Sequence, residues 1–171
     1  MTMSAGNAGA AGTSAAAGET QAGGGSAAGQ HSGRGYAGDV DPRDAWQVLR
    51  SEPAAMLVDV RSSAEWTFVG LPDLRSLDKQ VVLVAWQDYP GMVPNATFVS
   101  DLKAQLPDPA APVFFLCRSG ARSRAAAIAG TAAGLAACYN VAGGFEGNLD
   151  AEGHRGTQDG WKAAGLPWMQ S

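Results

Sequence analysis

The chain has 171 residues, enough for one domain or one domain with a tail, and its formal charge of −4 carries no cationic footprint for DNA, RNA or anionic lipid. Apolar residues make up 46%, Gly is raised at 23 residues and the excess of small residues sits largely at the front, with no run of the roughly 20 strongly apolar residues that a membrane helix needs. Two cysteines and two histidines without paired spacing argue against a disulfide scaffold and a zinc site, and point to reduced thiols in a reducing, cytoplasmic setting.

Residues 1–35 hold no large apolar side chain beyond two methionines and little charge, so they cannot bury enough surface to offset their ordering entropy; a disordered Ala/Gly-rich tail is expected there. The tail has neither the compact apolar run of a secretory signal nor the arginines of a transit peptide. Order is expected from about Tyr36, giving one domain over 36–171.

In "DPRDAWQVLRSEP", Asp41 is placed to cap a helix that Pro42 begins, with Ala45, Val48 and Leu49 at helical spacing and Pro53 as the stop. "AMLVDV", Ala55 to Val60, reads as a buried strand, and a short helix follows from Ser62 to Phe68. Val81 to Trp86 is a second strand, Asn95 to Leu106 a helix, and Val113 to Cys117 a third strand. Ser123 to Ala137 makes a helix of small side chains, Tyr139 to Gly144 a fourth strand, and Asp159 to Gly165 a last helix. This alternation predicts an α/β domain with a mainly parallel sheet of about five strands and helices on both faces, whose ligands bind beyond the carboxyl ends of the strands.

Cys117 stands at such an end, in "CRSGARS". Gly120 allows a tight bend, Ser119 and Ala121 leave the centre open, and the loop amides with the first helical turn form an anion cradle. Arg118 and Arg122 add positive charge, so the thiol is expected to ionise more readily than a free cysteine and to act as a nucleophile. A cysteine at a strand end, taken alone, is more often structural; the two arginines and the glycine around it change that balance. Cysteine phosphatases place five residues between the nucleophile and the loop arginine. Here four separate Cys117 from Arg122, and Ser123 occupies the phosphatase position, so the smaller cradle suits a sulfur atom carried on the cysteine as a persulfide.

The sequence resembles the rhodanese family of sulfurtransferases over about Val40 to Trp168. "LVDVRSSAEW" is similar to the family's first strand and Asp-Val-Arg signature, with Asp59, Arg61 and Glu65 in register; "FFLCRSGARS" to its active-site loop; "NVAGGFEG" and "GWKAAGLPW" to the segments after it. One departure is Val69, in "VGLPDL", where the family commonly has a histidine. The resemblance implies a rhodanese-like fold and a double displacement in which Cys117 takes sulfane sulfur from thiosulfate, holds it as a persulfide and passes it to cyanide or a thiol. Arg118, Ser119, Gly120, Ala121, Arg122 and Ser123 would bind the donor, no metal or organic cofactor would take part, and a basic loop resembles those of thiosulfate rather than mercaptopyruvate users. Two other readings use the same loop: a non-enzymatic sulfur carrier or binding module, and a phosphatase or arsenate reductase on a related scaffold.

Asp59 and Arg61 are expected to support the loop through an ion pair or backbone hydrogen bonds. Cys138 is expected to be buried, and His154 to lie on the surface. Trp86 and Phe145 pack the core or line the mouth of the site, a choice that sequence alone leaves open.

Overall fold

A computed structural model describes residues 33–170. All but residues 33–35 of the expected tail therefore lie outside the described residues; these three form a turn that leads into the domain.

The elements follow in chain order: β1 (Gly38–Val40), α1 (Pro42–Ser51), β2 (Met56–Asp59), α2 (Ser63–Phe68), β3 (Leu71–Pro72), a 3-10 turn (Arg75–Leu77), β4 (Val82–Leu83), β5 (Gln87–Asp88), β6 (Val93–Pro94), α3 (Phe98–Gln105), β7 (Pro112–Leu116), α4 (Ala121–Ala132), β8 (Ala137–Val141), α5 (Gly160–Ala163) and β9 (Trp168–Met169). Five strands form one sheet in the order β1-β8-β7-β2-β4, each neighbouring pair parallel. The expected α/β architecture is thus present, and its fifth strand is β1, which the sequence reading leaves inside the approach to α1.

Side chains alternate across the central strands and build a core on each face. Val113 and Phe115 of β7 turn toward Phe98 and Leu102 of α3 and Ala126 and Ala127 of α4. Phe114 and Leu116 turn toward Ala45 and Leu49 of α1 and Trp161 of α5. Helices therefore cover both faces, and Ala126, Ala127 and Gly130 let α4 lie close over the sheet.

Several boundaries differ from expectation, each for a local reason. Helix α3 starts at Phe98, because Asn95 is taken up in a turn: its Oδ1 accepts from Thr97 N at 2.9 Å and its Nδ2 donates to Ala85 O at 3.0 Å. Strand β4 spans only Val82–Leu83, and past it the chain stays beside β2 through single bonds from Val84 N to Asp59 O and from Trp86 N to Val60 O. Strand β8 begins at Ala137 and ends at Val141, since Gly143 and Gly144 take positive φ values of 70° and 60° that no strand continues through. Helix α5 spans Gly160–Ala163, inside the expected range. Two small antiparallel pairs, β3 with β9 and β5 with β6, flank the sheet.

Candidate active site

Cys117 follows β7 directly, and the loop after it is shorter than expected because α4 opens at Ala121 rather than Ser123. Gly120 makes this possible: at φ 107° it turns the chain so that its own N–H donates to Cys117 Sγ at 3.1 Å. The sulfur thus accepts one loop amide. Arg122 and Ser123 are carried into the first turn of α4, where Ser123 is buried with its Oγ 3.2 Å from Sγ.

The loop is held from behind by the double glycine. Gly144 packs so closely on the Cys117 carbonyl that no Cβ fits, and Phe145 N donates to Cys117 O at 2.7 Å. Glu146 N and Gly147 N both donate to Arg118 O, at 2.9 and 3.2 Å. With its carbonyls fixed from the back, the loop keeps its amides and side chains toward the open side.

Asp59 and Arg61 form a fully buried ion pair at the end of β2. Arg61 Nη2 donates to Asp59 Oδ2 at 2.6 Å and to Gly70 O at 2.7 Å, Nε donates to Asp59 Oδ1 at 3.0 Å, and the guanidinium lies 4.1 Å from the Phe145 ring centroid. Arg61 Nη1 has no hydrogen-bond partner among the described residues. Neither side chain lines the cavity above Cys117, and the backbone carbonyl that Arg61 meets is Gly70 O rather than one of the thiol loop.

That cavity holds about 700 Å3 and opens over Cys117, with Arg118, Ser119, Ala121 and Arg122 in its wall. Of the expected donor-binding residues, Gly120 and Ser123 sit under the sulfur instead. Cys117 itself is 1% exposed, so only a narrow, terminal atom of a ligand can reach its sulfur from the cavity.

Sequence reasoning did not assign three parts of this wall. Glu65 takes Arg122 in a bidentate ion pair, at 2.8 Å from Nη1 to Oε2 and 2.7 Å from Nη2 to Oε1. Burial raises the Glu65 carboxyl, but hydrogen bonds from Arg122 and Ser62 outweigh it and hold the group at about 2. The signal for it was the capping box Ser62-Ser-Ala-Glu65, whose carboxylate also accepts from Ser62 N at 2.9 Å. The second part is the β5–β6 hairpin, which brings Gln87, Tyr89 and Met92 to the rim. The third is the loop after β8, with Glu146 and Arg155; Arg155 Nη1 donates to Gly147 O at 2.5 Å.

The residues left open by the sequence are not in the wall. Trp86 packs edge-on to Phe98 at 4.9 Å, Phe145 is fully buried, and His154 is an exposed loop residue whose N–H donates to Asp150 Oδ1. Cys138 is buried in β8, where burial pushes its thiol up to about 11. Both cysteines are free, and no cluster of His, Cys, Asp or Glu among the described residues can hold a metal. Among the same residues no helix is long and apolar enough to cross a membrane.

The fold has counterparts in known proteins. The crystal structure of Rv0390 from M. tuberculosis superposes with a TM-score of 0.75 at 53% identity, covering 80% of this chain and 99% of that one. The solution structure of a polysulfide-sulfur transferase homodimer from Wolinella succinogenes shares the fold at a TM-score of 0.54 and 23% identity, over 78% of each chain. An uncharacterized protein of Rickettsia conorii, RC0915, is 42% identical over 126 residues, 73% of this chain and 91% of its own length. The rice protein THYLAKOID RHODANESE-LIKE, chloroplastic, is 33% identical over 132 residues, 77% of this chain and 25% of its own length. The family described as STR4 middle domain matches residues 38–171. The chain belongs to that STR4 middle domain family and has a rhodanese-like fold.

Proposed function

We propose that the protein is a sulfurtransferase that moves sulfane sulfur from thiosulfate to cyanide or a thiol acceptor through a persulfide on Cys117. The observation that carries this reading is the thiol at the floor of an open cavity, its Sγ bonded to the Gly120 N–H, with Arg118 and Arg155 in the walls. Kinship with a rhodanese-like protein supports the same chemistry.

In the first half-reaction the Cys117 thiolate attacks the outer sulfur of thiosulfate. The new S–S bond forms as the S–SO3 bond breaks, and sulfite leaves with the bonding electron pair. In the second, the thiophile attacks the outer sulfur of the persulfide and the thiolate is restored. No proton transfer is required, so fixed dipoles and charges can do the work without a general acid or base. A slender dianion with a terminal sulfur fits the narrow approach to Sγ, and Arg118, whose side chain makes no hydrogen bond or ion pair among the described residues, is placed to meet its charge. No metal or organic cofactor enters this scheme. Two free thiols suit a reducing, cytoplasmic compartment.

Intact mass after incubation with thiosulfate tests the proposal. Gain of one sulfur atom by the parent, absent in Cys117→Ser and discharged by cyanide, is the expected result. Loading only from a persulfidated protein would make the chain a carrier, and phosphatase activity without the adduct would overturn sulfur transfer.

A further inference from the structure

Behind Cys117 runs a chain of side-chain hydrogen bonds that the displacement does not use. Ser123 Oγ lies 2.6 Å from Asn140 Oδ1 as well as 3.2 Å from Cys117 Sγ. Asn140 Nδ2 donates to Asp39 Oδ1 at 2.7 Å, and Asp39 also accepts from Tyr36 Oη at 2.9 Å and from Arg124 Nη2 at 3.2 Å. The chain links the sulfur at the end of β7 to the edge strand β1 across β8.

The proton count along it is constrained. A hydroxyl has one proton, so Ser123 can donate to Asn140 or to Cys117 but not to both. Asp39 fixes the choice. Partial burial raises its carboxyl, but the hydrogen bonds from Asn140 and Tyr36 and the charge of Arg124 outweigh that and keep it ionised, an acceptor only. The Asn140 amide must therefore turn its NH2 toward Asp39 and its oxygen toward Ser123. Asn140 is 1% exposed, so an oxygen left without a donor there finds no water. An amide does not conduct protons in this arrangement, so the chain orients rather than relays.

We infer that Asp39 and Asn140 are positioning residues that draw the Ser123 proton away from Cys117 in the unloaded site. The Ser123 oxygen then presents a lone pair to Sγ, so the sulfur takes a hydrogen bond from the Gly120 N–H and none from Ser123. The inference deepens the sulfur-transfer reading and rests on it for its benefit: once a persulfide forms, the charge moves to the outer sulfur and Ser123 keeps its bond to Asn140 without conflict. The charged and titratable groups around the chain are Tyr36, Asp39 and Arg124 at its outer end, Arg118 and Arg122 with Glu65 at the thiol loop, Glu146 and Arg155 in the cavity wall, and the buried Asp59–Arg61 pair, whose carboxylate acts on Arg122.

The test is the rate of Cys117 alkylation by iodoacetamide across pH, which needs no sulfur donor and so stands apart from failure of the sulfur-transfer reading. Asp39 is a partly exposed edge residue, and Asp39→Ala frees the Asn140 amide to rotate and release the hydroxyl. Alkylation at a given pH below the plateau should then rise about tenfold, the weight of one unpaired buried acceptor. In the Ser123→Ala background the same Asp39→Ala change should have no further effect. A parent-like profile for Asp39→Ala overturns the inference. So does an equal acceleration in both backgrounds, which would mean that the carboxylate acts on the sulfur through space.

Discussion

Arg122 and Glu65 close a bidentate ion pair that ties the first turn of α4 to the first turn of α2, in the wall of the cavity that Cys117 also lines. Fork-to-carboxylate geometry fixes direction as well as distance, so the arginine is aimed before any ligand arrives. Its charge is also shared with a carboxylate. The loop is therefore less electropositive than its two arginines suggest, and attraction of an anion falls more heavily on Arg118 and Arg155.

The same pair links stability to pH. Glu65 is held at about 2 against an ordinary value of 4.5, so its folded value lies below its unfolded one. Stabilisation of this sign is complete above the unfolded value and is lost as pH falls toward the folded one. The shift sets an upper bound of about 3 kcal/mol, which solvent screening of this partly exposed pair reduces. Urea unfolding should show Glu65→Gln less stable than the parent, within that bound, at neutral pH, with the gap narrowing as the solution is acidified. A gap that is independent of pH would show that the carboxylate's charge is not what stabilises the fold.

Gly144 makes the loop's backing possible. Its φ is +60°, and a Cβ there would meet the Cys117 carbonyl oxygen and lie 2.7 Å from the Arg118 carbonyl carbon, both backbone atoms that cannot swing aside. Gly144→Ala should cost about 3 kcal/mol or more and abolish sulfur loading, since relief requires moving the nucleophile's own peptide. Gly153 supplies the contrast: φ is +82° but nothing lies within 4 Å, so Gly153→Ala should cost about 1 kcal/mol and leave loading intact. Thermal unfolding of the two variants side by side distinguishes backbone collision from conformational preference alone.

The two cysteines should separate cleanly in the laboratory. Cys138 is fully buried and its thiol is pushed up to about 11, so at neutral pH it is neither ionised nor reachable. Peptide mapping after brief alkylation of the native protein should find the label on Cys117 alone. Cys138→Ser should turn over at close to the parent rate while losing about 1–2 kcal/mol of stability to a hydroxyl in an apolar place. Loss of turnover without loss of stability would make Cys138 a participant.

What the sequence shows of this site follows what a linear pattern can carry. Cys117 and its loop are contiguous, and the strand before them and the helix after them have strong local signals, so the nucleophile and the bend at Gly120 are legible. Asp59 and Arg61 are two residues apart and both face inward from one strand end, which is why an ion pair is foreseeable. Glu65 and Arg122 are distant in sequence, and the capping box alone accounts for the glutamate. Strand β1 is three residues of "GDV" and takes its identity from pairing with β8 rather than from composition, so Asp39 and its link to Asn140 emerge only in the fold. The β5–β6 hairpin is hidden likewise: two-residue strands around Tyr89, Pro90 and Gly91 have turn chemistry but no periodicity.

Arg155 shows how a neighbour can mask the residue that matters. His154 draws notice because histidine titrates near neutrality, yet it points to solvent, while Arg155 stands in the cavity wall with its Nη1 anchored to Gly147 O. A guanidinium that meets the donor before chemistry contributes to binding in the ground state and in the transition state alike, so its removal should raise KM for thiosulfate and change kcat little. Arg118→Ala and Arg155→Ala should each lower kcat/KM about tenfold at low ionic strength, with the loss shrinking as salt screens the field. His154→Ala should remain within about twofold of the parent. Steady-state kinetics with thiosulfate at two salt concentrations decide the matter: an arginine variant that lowers kcat at constant KM would place that side chain on the departing sulfite rather than on the incoming donor.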